Sequence, residues 1–131
     1  MAITLSAATR ALVDGPNYAT ISTLNADGSP HSAVMWITRD GDDLLFSTLR
    51  DRVKERNVRR DPRVSVSVWD HRDPEVYAEI RGTVTVTEDT DRALAHALAR
   101  KYTGGDFPEE APDKVRVVLR VTPTKVAGNA A

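Results

Sequence analysis

Residues 46–63 read Phe-Ser-Thr-Leu-Arg-Asp-Arg-Val-Lys-Glu-Arg-Asn-Val-Arg-Arg-Asp-Pro-Arg, and seven of the chain's 18 lysines and arginines lie between positions 50 and 63. The apolar and hydroxyl residues that open this stretch predict the end of a β-strand. The charged residues after them predict a short helix with Asp51 as its N-cap. The helix is expected to end at Asp61, because a residue that precedes proline avoids the helical conformation.

Hydroxyls and cations come together at the junction of this strand and this helix. The first N–H groups of a helix have no partner within the helix, so they favour an anion. The junction therefore predicts a phosphate site formed by Ser47, Thr48, Arg52 and Lys54. A second interpretation stays open at this point, in which the cations only form the solvent-exposed surface of the helix and bind no phosphate. A helix spreads its side chains around its axis, so these cations cannot all face one site, and charged helices are commonly solvated.

The flanking sequence predicts a mainly β, α+β fold. Alternating β-branched and polar residues predict six strands at Ala19–Asn25, His31–Thr38, Leu44–Thr48, Val64–Asp70, Val76–Thr87 and Lys114–Val121. Apolar residues at helical spacing predict helices at Ser6–Val13 and Asp89–Tyr102. Gly82, inside a predicted strand, indicates a bulge or a close backbone approach. Such antiparallel strands typically curl into a barrel or a sandwich, so residues 1–131 are expected to form one domain with short flanking helices.

The composition excludes several classes of protein. The formal net charge of −1 gives no sign of nucleic-acid binding, and the absence of cysteine excludes disulfides and thiolate metal sites. No apolar run approaches the roughly 20 residues that a membrane span needs. The start of the chain, Met1–Ser6, has neither the basic nor the apolar region of a signal peptide. A soluble cytoplasmic protein without a membrane partner is therefore expected.

The sequence has no pattern that identifies a catalytic acid, a catalytic base or a metal site. His31, His71 and His96 do not have the spacing of metal ligands. No nucleophile-elbow motif is present. An enzyme built on this chain is therefore expected to depend on a phosphorylated cofactor bound at the cationic helix.

Large apolar side chains occupy consecutive positions in Val34–Ile37, which predicts a strand that is buried on both faces. Two explanations are open. The strand could combine a core face with a contact to a second copy of the chain. Alternatively, Met35 or Trp36 could pack on a planar ring.

Four segments, in this order, resemble the pyridoxamine 5′-phosphate oxidase-like proteins, a flavin-binding group with a split β-barrel fold. They are Ala19–Leu24 with the turn that ends at His31, Val34–Trp36, the motif Arg52-x-Lys54-x-x-Asn57 after Phe46-Ser-Thr, and Tyr77-x-Glu-x-Arg-Gly82. Within this group the chain is similar to the short actinobacterial branch that uses the deazaflavin coenzyme F420. That similarity rests on the helix motif, the Arg60-Asp-Pro sequence and the closing Val115–Val126 segment. The resemblance covers nearly the whole chain.

The resemblance implies a six-stranded antiparallel split β-barrel of the FMN-binding type. It also implies a homodimer in which both chains build each site. The implied cofactor-binding side chains are Ser47, Thr48, Arg52 and Lys54 for the phosphate, Arg50 as a helper, and Met35 and Trp36 near the ring. F420 also has a long anionic tail, for which Arg50, Arg56 and Arg59 are available cations.

The implied function is that of an F420H2-dependent reductase, which transfers a hydride from the deazaflavin to a small conjugated or unsaturated substrate. The alternative is an FMN-binding protein or FMN-dependent oxidoreductase of the same group, because both cofactors would use the same phosphate site. A third hypothesis is that the basic helix binds nucleic acid. The net charge of −1 and the lack of stacking aromatic residues around the helix oppose it.

Overall fold

A computed structural model describes residues 3–131 of the chain. Met1 and Ala2, on which part of the signal-peptide expectation depends, lie outside the described residues. The helices and strands, in chain order, are α1 (Ala7–Asp14), β1 (Ala19–Leu24), β2 (Pro30–Met35), β3 (Thr38–Asp40), β4 (Asp43–Leu49), α2 (Val53–Arg60), β5 (Arg63–Trp69), β6 (Tyr77–Glu88), α3 (Ala93–Thr103) and β7 (Arg116–Ala127). A 3₁₀ turn at Thr90–Arg92 leads into α3.

The strands form one antiparallel sheet with the order β2-β1-β5-β6-β7-β4-β3. The prediction of a mainly β antiparallel fold with short helices is confirmed, although the described residues form seven strands rather than six. The additional strand arises because the predicted strand His31–Thr38 is interrupted at Trp36 and Ile37. These two residues connect β2 to β3, which are the two opposite edges of the sheet. So short a connection requires the edges to lie close together, and the sheet therefore curls into a split barrel.

The interior of the curled sheet holds the core. Alternate residues of the strands point inward, and Ile21, Phe46, Val66, Ile80 and Leu119 are each 0% exposed. Each of these side chains contributes roughly 1.5–3 kcal/mol by leaving water. The helices pack around the sheet, so the barrel provides a rigid frame for the loops and helix ends at its rim.

The cationic helix begins later than the sequence predicts. Asp51 was expected to cap it, and that prediction is wrong, because Asp51 has a left-handed φ of 72° and the N-cap is Arg52. The carboxylate of buried Glu55 accepts the N–H of Asp51 at 2.7 Å and pairs with Arg59 at 2.7 Å, so it fixes the turn that precedes the helix. The last helix also begins later than predicted, at Ala93.

Gly82 lies where two central strands come very close together, as the sequence indicates. The pairing of β6 with β7 shifts register between Arg81 and Gly82, which marks a bulge. A Cβ atom on Gly82 would overlap the carbonyl oxygen of Thr122. Strand β7 continues past this point and through Pro123, so it is longer than the predicted strand that ended at Val121.

The expectation that Val34–Ile37 is buried on both faces is wrong for the single chain. Ile37 is fully buried, but Val34 is 66% exposed, because it lies on the outer face of the edge strand β2. Among residues 3–131, no helix combines the length and the apolar content that crossing a membrane requires.

Candidate functional site

A cavity of about 350 Å³ opens at the rim of the barrel, which is a volume typical of small-molecule sites. Its walls come from the end of β2, the end of β4, the first turn of α2, one face of α3 and the start of β7. One end is lined by hydroxyls and cations: Ser47, Thr48, Arg52, Lys54 and Arg116. The other end is aromatic and apolar, and includes Tyr18, Val34, Met35 and Trp36, whereas Phe107 lines the cavity beside Arg116.

The local backbone brings the polar end together. Strand β4 pairs with β7 up to Leu49, which lies opposite Arg116. The left-handed Asp51 then turns the chain into α2. This turn returns Arg52 and Lys54 to the cavity that Ser47 and Thr48 already line. Four side chains that are close in sequence therefore surround one volume.

The polar end has donors without acceptors. Ser47 Oγ is buried and has no hydrogen-bond partner among the described residues. The first turn of α2 receives no hydrogen bond from a capping side chain in the part of the chain that the structure describes. A buried hydroxyl and free helix N–H groups at one place match the chemistry of a phosphate oxygen.

Two cations of this end, Lys54 and Arg52, have no compensating carboxylate among the described residues. Burial lowers the pKa of Lys54 below the usual lysine value, and the nearby Arg52 and Arg116 lower it further. Within residues 3–131, no carboxylate forms an ion pair with Lys54 or Arg52. An anion in the cavity would relieve this repulsion, so the residues present fit the phosphate of a flavin or deazaflavin cofactor.

Arg116 lines the polar end, and the sequence interpretation missed it. Its side chain is only 15% exposed, and it forms a two-pronged pair with Glu110 at 2.8 and 3.0 Å. Its guanidinium lies 4.5 Å from the ring centre of Phe107, which also lines the cavity. No local pattern distinguishes Arg116 from the other arginines of the last strand. Only its register opposite Leu49 brings it to the site.

Two rings of the aromatic end, Trp36 and Tyr18, stack on Tyr102, which lies behind the cavity wall. The indole of Trp36 lies 5.3 Å from the ring of Tyr102 with an interplanar angle of 5°. The ring of Tyr18 stacks on Tyr102 at 5.6 Å. Tyr18 and Tyr102 were not among the predicted site residues, and they carry no signal in the sequence beyond being aromatic. Met35 completes this end next to Trp36.

The structure brings together six of the eight predicted cofactor-binding residues: Met35, Trp36, Ser47, Thr48, Arg52 and Lys54. Arg50 does not line this cavity. It faces a separate depression, and its guanidinium lies 3.7 Å from the carboxylate of Glu88. Arg56 is exposed and also does not line the cavity. Arg59, proposed for the tail, is engaged by Glu55 and Asp51.

Comparison with known proteins places this site in context. Residues 5–130 match the sequence model of a family described as pyridoxamine 5′-phosphate oxidase. A solved structure named F420 Reductase is 33% identical, covers 94% of this chain and 98% of its own, and superimposes with a TM-score of 0.83. A conserved hypothetical protein from Mycobacterium tuberculosis is 24% identical over 95% of this chain and 84% of its own, with a TM-score of 0.76. General Stress Protein 26 from Bacillus anthracis is 23% identical over 91% and 88%, with a TM-score of 0.70. The last two similarities concern the fold.

Proposed function

Because the chain belongs to the pyridoxamine 5′-phosphate oxidase family, we propose that it is an oxidoreductase that binds F420 in the cavity at the barrel rim. The observation that carries this proposal is the unpartnered Ser47 Oγ beside Lys54 and Arg52. These donors suit a phosphate, and the opposite end of the same cavity is aromatic. One cavity thus offers a place for each half of a phosphorylated flavin-type molecule.

In this proposal the chain's own residues bind and orient, because no side chain in the cavity stands out as a catalytic acid or base. Ser47, Thr48 and the first N–H groups of α2 donate hydrogen bonds to the phosphate, while Lys54 and Arg52 supply charge. Trp36 and Met35 provide apolar surface for the ring and exclude water from it. Reduced F420 would supply a hydride for a small conjugated or unsaturated substrate.

Two observations favour F420 over FMN. The similar structure at 33% identity is named F420 Reductase. In addition, Arg56 follows Arg52 by one helical turn, and among the described residues it has no ion-pair partner. Arg52 and Arg56 could therefore meet an anionic tail that leaves the cavity. FMN has no such tail, and an FMN-binding protein is the second candidate because ring and phosphate are common to both cofactors.

The test is a titration of the purified protein with F420 and with FMN, followed by absorbance and fluorescence. The expected result is tighter binding of F420, and oxidation of reduced F420 when a conjugated acceptor is added. Tight binding of FMN without binding of F420 would replace the F420 proposal by the flavoprotein candidate. If neither F420 nor FMN binds, the cavity is not a site for either cofactor.

We also propose that the protein functions as a homodimer with the second copy covering Val34. This side chain is 66% exposed, lies on an edge strand and lines the cavity. A second copy at this edge would bury Val34 and close the aromatic end of the cavity. Light scattering should give twice the mass of the chain at micromolar concentration, and a stable monomer under those conditions would contradict the proposal.

A further inference from the structure

The seam of the split barrel, defined here as Trp36 and Ile37 between β2 and β3, lies outside the strand pairing. Ile37 is fully buried, so its backbone N–H and C=O need partners other than water. The last turn of α3 supplies both. The Ile37 N–H donates to Tyr102 Oη at 3.2 Å, and the Ile37 carbonyl accepts from Lys101 Nζ at 2.7 Å.

The same two side chains also reach the first part of the chain. Lys101 Nζ donates to the carbonyl of Val13, near the end of α1, at 2.6 Å. Tyr102 Oη donates to the carbonyl of Asn17, just before β1, at 2.5 Å. Lys101 and Tyr102 thus join three segments that are far apart in sequence: the end of α1, the start of β1 and the barrel seam.

This contact lies directly behind the aromatic end of the cavity, because Tyr102 stacks on Trp36. The ring of Tyr102 is nearly parallel to the indole of Trp36, so fixing Tyr102 also fixes Trp36. Helix α3 carries Ala95 and Leu98 into the cavity wall, and its last turn is the part that Lys101 and Tyr102 attach to the seam. Neither Lys101 nor Tyr102 lines the cavity itself.

The half-buried amine of Lys101 loses hydration, which disfavours its charged form. Lys101 is about half buried, and burial lowers its pKa from 10.5 to about 8, while Asp14 raises it only in part. An apolar residue would avoid the loss of hydration. It could not donate to two carbonyl groups at once, however, and those bonds define where the seam lies relative to α1 and α3.

We propose that Lys101 and Tyr102 are positioning residues for the ring-binding end of the cavity. They hold Trp36 and the α3 wall in the arrangement that accepts a planar ring, and they contact no ligand. This inference rests on the proposed function, since it assigns the aromatic end to a flavin or deazaflavin ring. It concerns only that end, so the phosphate end should be independent of it.

The test compares ligands with and without a phosphate in three variants. Tyr102→Phe keeps the ring and removes the hydroxyl, Lys101→Met removes the amine, and Lys125→Met is a control at an exposed lysine. The probes are FMN against riboflavin, and F420 against its phosphate-free deazaflavin precursor, which carries only the ribityl chain. Urea unfolding of each variant establishes that it is folded.

Tyr102→Phe and Lys101→Met should each weaken binding about tenfold, the scale of one lost buried hydrogen bond. The loss should be equal for the ligand with phosphate and the ligand without it, and Lys125→Met should change neither. Lys54→Ala should give the opposite pattern and weaken only the phosphate-bearing ligands. Unchanged ring affinity in folded Tyr102→Phe and Lys101→Met, or a loss confined to phosphate-bearing ligands, would overturn the assignment.

A second measurement needs no ligand and separates this inference from the proposed function. The Trp36–Tyr102 stack should contribute to the near-ultraviolet circular dichroism of the free protein. If Lys101 helps to position Trp36, that signal should weaken in Lys101→Met, which leaves both chromophores in place, even if no flavin binds to the wild type. An unchanged spectrum in folded Lys101→Met would overturn the inference whatever the cofactor results.

Discussion

Two neighbouring side chains at the polar end of the cavity lack partners in the described part of the chain. Ser47 Oγ is buried without a hydrogen bond, and Lys54 is half buried beside Arg52 and Arg116. A buried unpaired polar group costs about 1–3 kcal/mol. An anion that accepts from the hydroxyl and pairs with the ammonium would offset both costs. The protein is therefore expected to gain stability when a phosphate-bearing ligand binds.

Lys54→Ala should weaken the binding of F420 or FMN by about tenfold or more. A charge-assisted hydrogen bond contributes roughly 1.5–3 kcal/mol, and about 1.4 kcal/mol corresponds to a factor of ten. Isothermal titration calorimetry measures the change. The matched control is Arg63→Ala, because Arg63 is exposed and, within residues 3–131, its side chain pairs with Asp61 alone. Equal affinity of Lys54→Ala and the wild type would remove Lys54 from the phosphate site.

At the scale of the elements, the close approach of β6 and β7 at Gly82 constrains the sequence strongly. Gly82→Ala should lower the free energy of unfolding by about 1–3 kcal/mol, the usual cost of overpacking, because the new methyl group meets the Thr122 carbonyl in a central strand. Urea unfolding measures this loss. Gly105→Ala is the control, since a Cβ there comes no closer than 3.9 Å to another group. A fully stable Gly82→Ala protein would contradict the bulge geometry.

The stability that Lys101 contributes by attaching α3 to the barrel seam should depend on pH. The folded pKa of Lys101 is about 8, below its value of 10.5 in the unfolded chain, so the unfolded chain binds more protons between those values. The contribution of Lys101 to stability therefore increases as pH rises through this window. The neutral amine can still donate to the carbonyls of Val13 and Ile37. Above pH 10 the raised pKa of the buried Tyr102 hydroxyl acts in the opposite direction.

The measurement is urea unfolding of the wild type and of Lys101→Met at pH 7 and pH 9.5. The free energy of unfolding of the wild type should rise relative to that of Lys101→Met over this interval. Other titrating groups are present in both proteins, so the difference isolates Lys101. If the difference in free energy of unfolding between the wild type and Lys101→Met stays constant or shrinks as pH rises, the assigned burial of the Lys101 amine is contradicted.

Elements with a clean local pattern could be predicted from the sequence, and elements determined by closure of the barrel could not. Strand β5 follows from the alternation of Val64, Val66 and Val68, which all face the core. The interruption at Trp36 and Ile37 has no local signal, because the apolar run continues through it. Only the return of β3 to the far edge of the sheet determines where that strand ends.

The residues of the candidate site also fall into a group that a local sequence pattern predicts and a group that it does not. Ser47, Thr48, Arg52 and Lys54 are close in sequence, so a local pattern was enough to group them, and the structure brings them to one cavity. Arg116 reaches the cavity through the pairing of β4 with β7. The ring of Tyr102, which supports Trp36 from behind the cavity wall, arrives through the packing of α3. Contacts between residues that are far apart in sequence depend on the topology of the fold, which the patterns of a single sequence do not contain.

At the scale of the whole molecule, the net charge is −1, while Arg52 and Arg56 at the start of α2 have no ion-pair partner among the described residues. Binding of F420 should therefore weaken with added salt more steeply than binding of FMN. Exposed charges are screened over about 8–10 Å at ordinary ionic strength, so contacts to an anionic tail fade first, whereas apolar contacts at Met35 and Trp36 persist. Titrations at two salt concentrations measure the two slopes.

Arg56→Ala is the variant that matches this prediction. Arg56 is exposed on α2 outside the cavity, so its removal should reduce the affinity for F420 and the steepness of its salt dependence. The affinity for FMN should stay nearly the same. Equal effects on both ligands would mean that Arg56 acts through general charge and not through a tail.

The sheet order has a consequence for how the protein is made. Among the strands of this sheet, β7 is the last to leave the ribosome, yet it lies between β6 and β4. While Arg116–Ala127 is still being synthesised, the sequential pairs β1–β2 and β5–β6 can form, but β4 and β6 each present an unpaired edge. Unpaired edges are the surfaces through which nascent chains aggregate. A chain that ends before Arg116 would therefore be unable to complete the sheet. Until β7 has been synthesised, chaperones would be needed to cover the unpaired edges of β4 and β6.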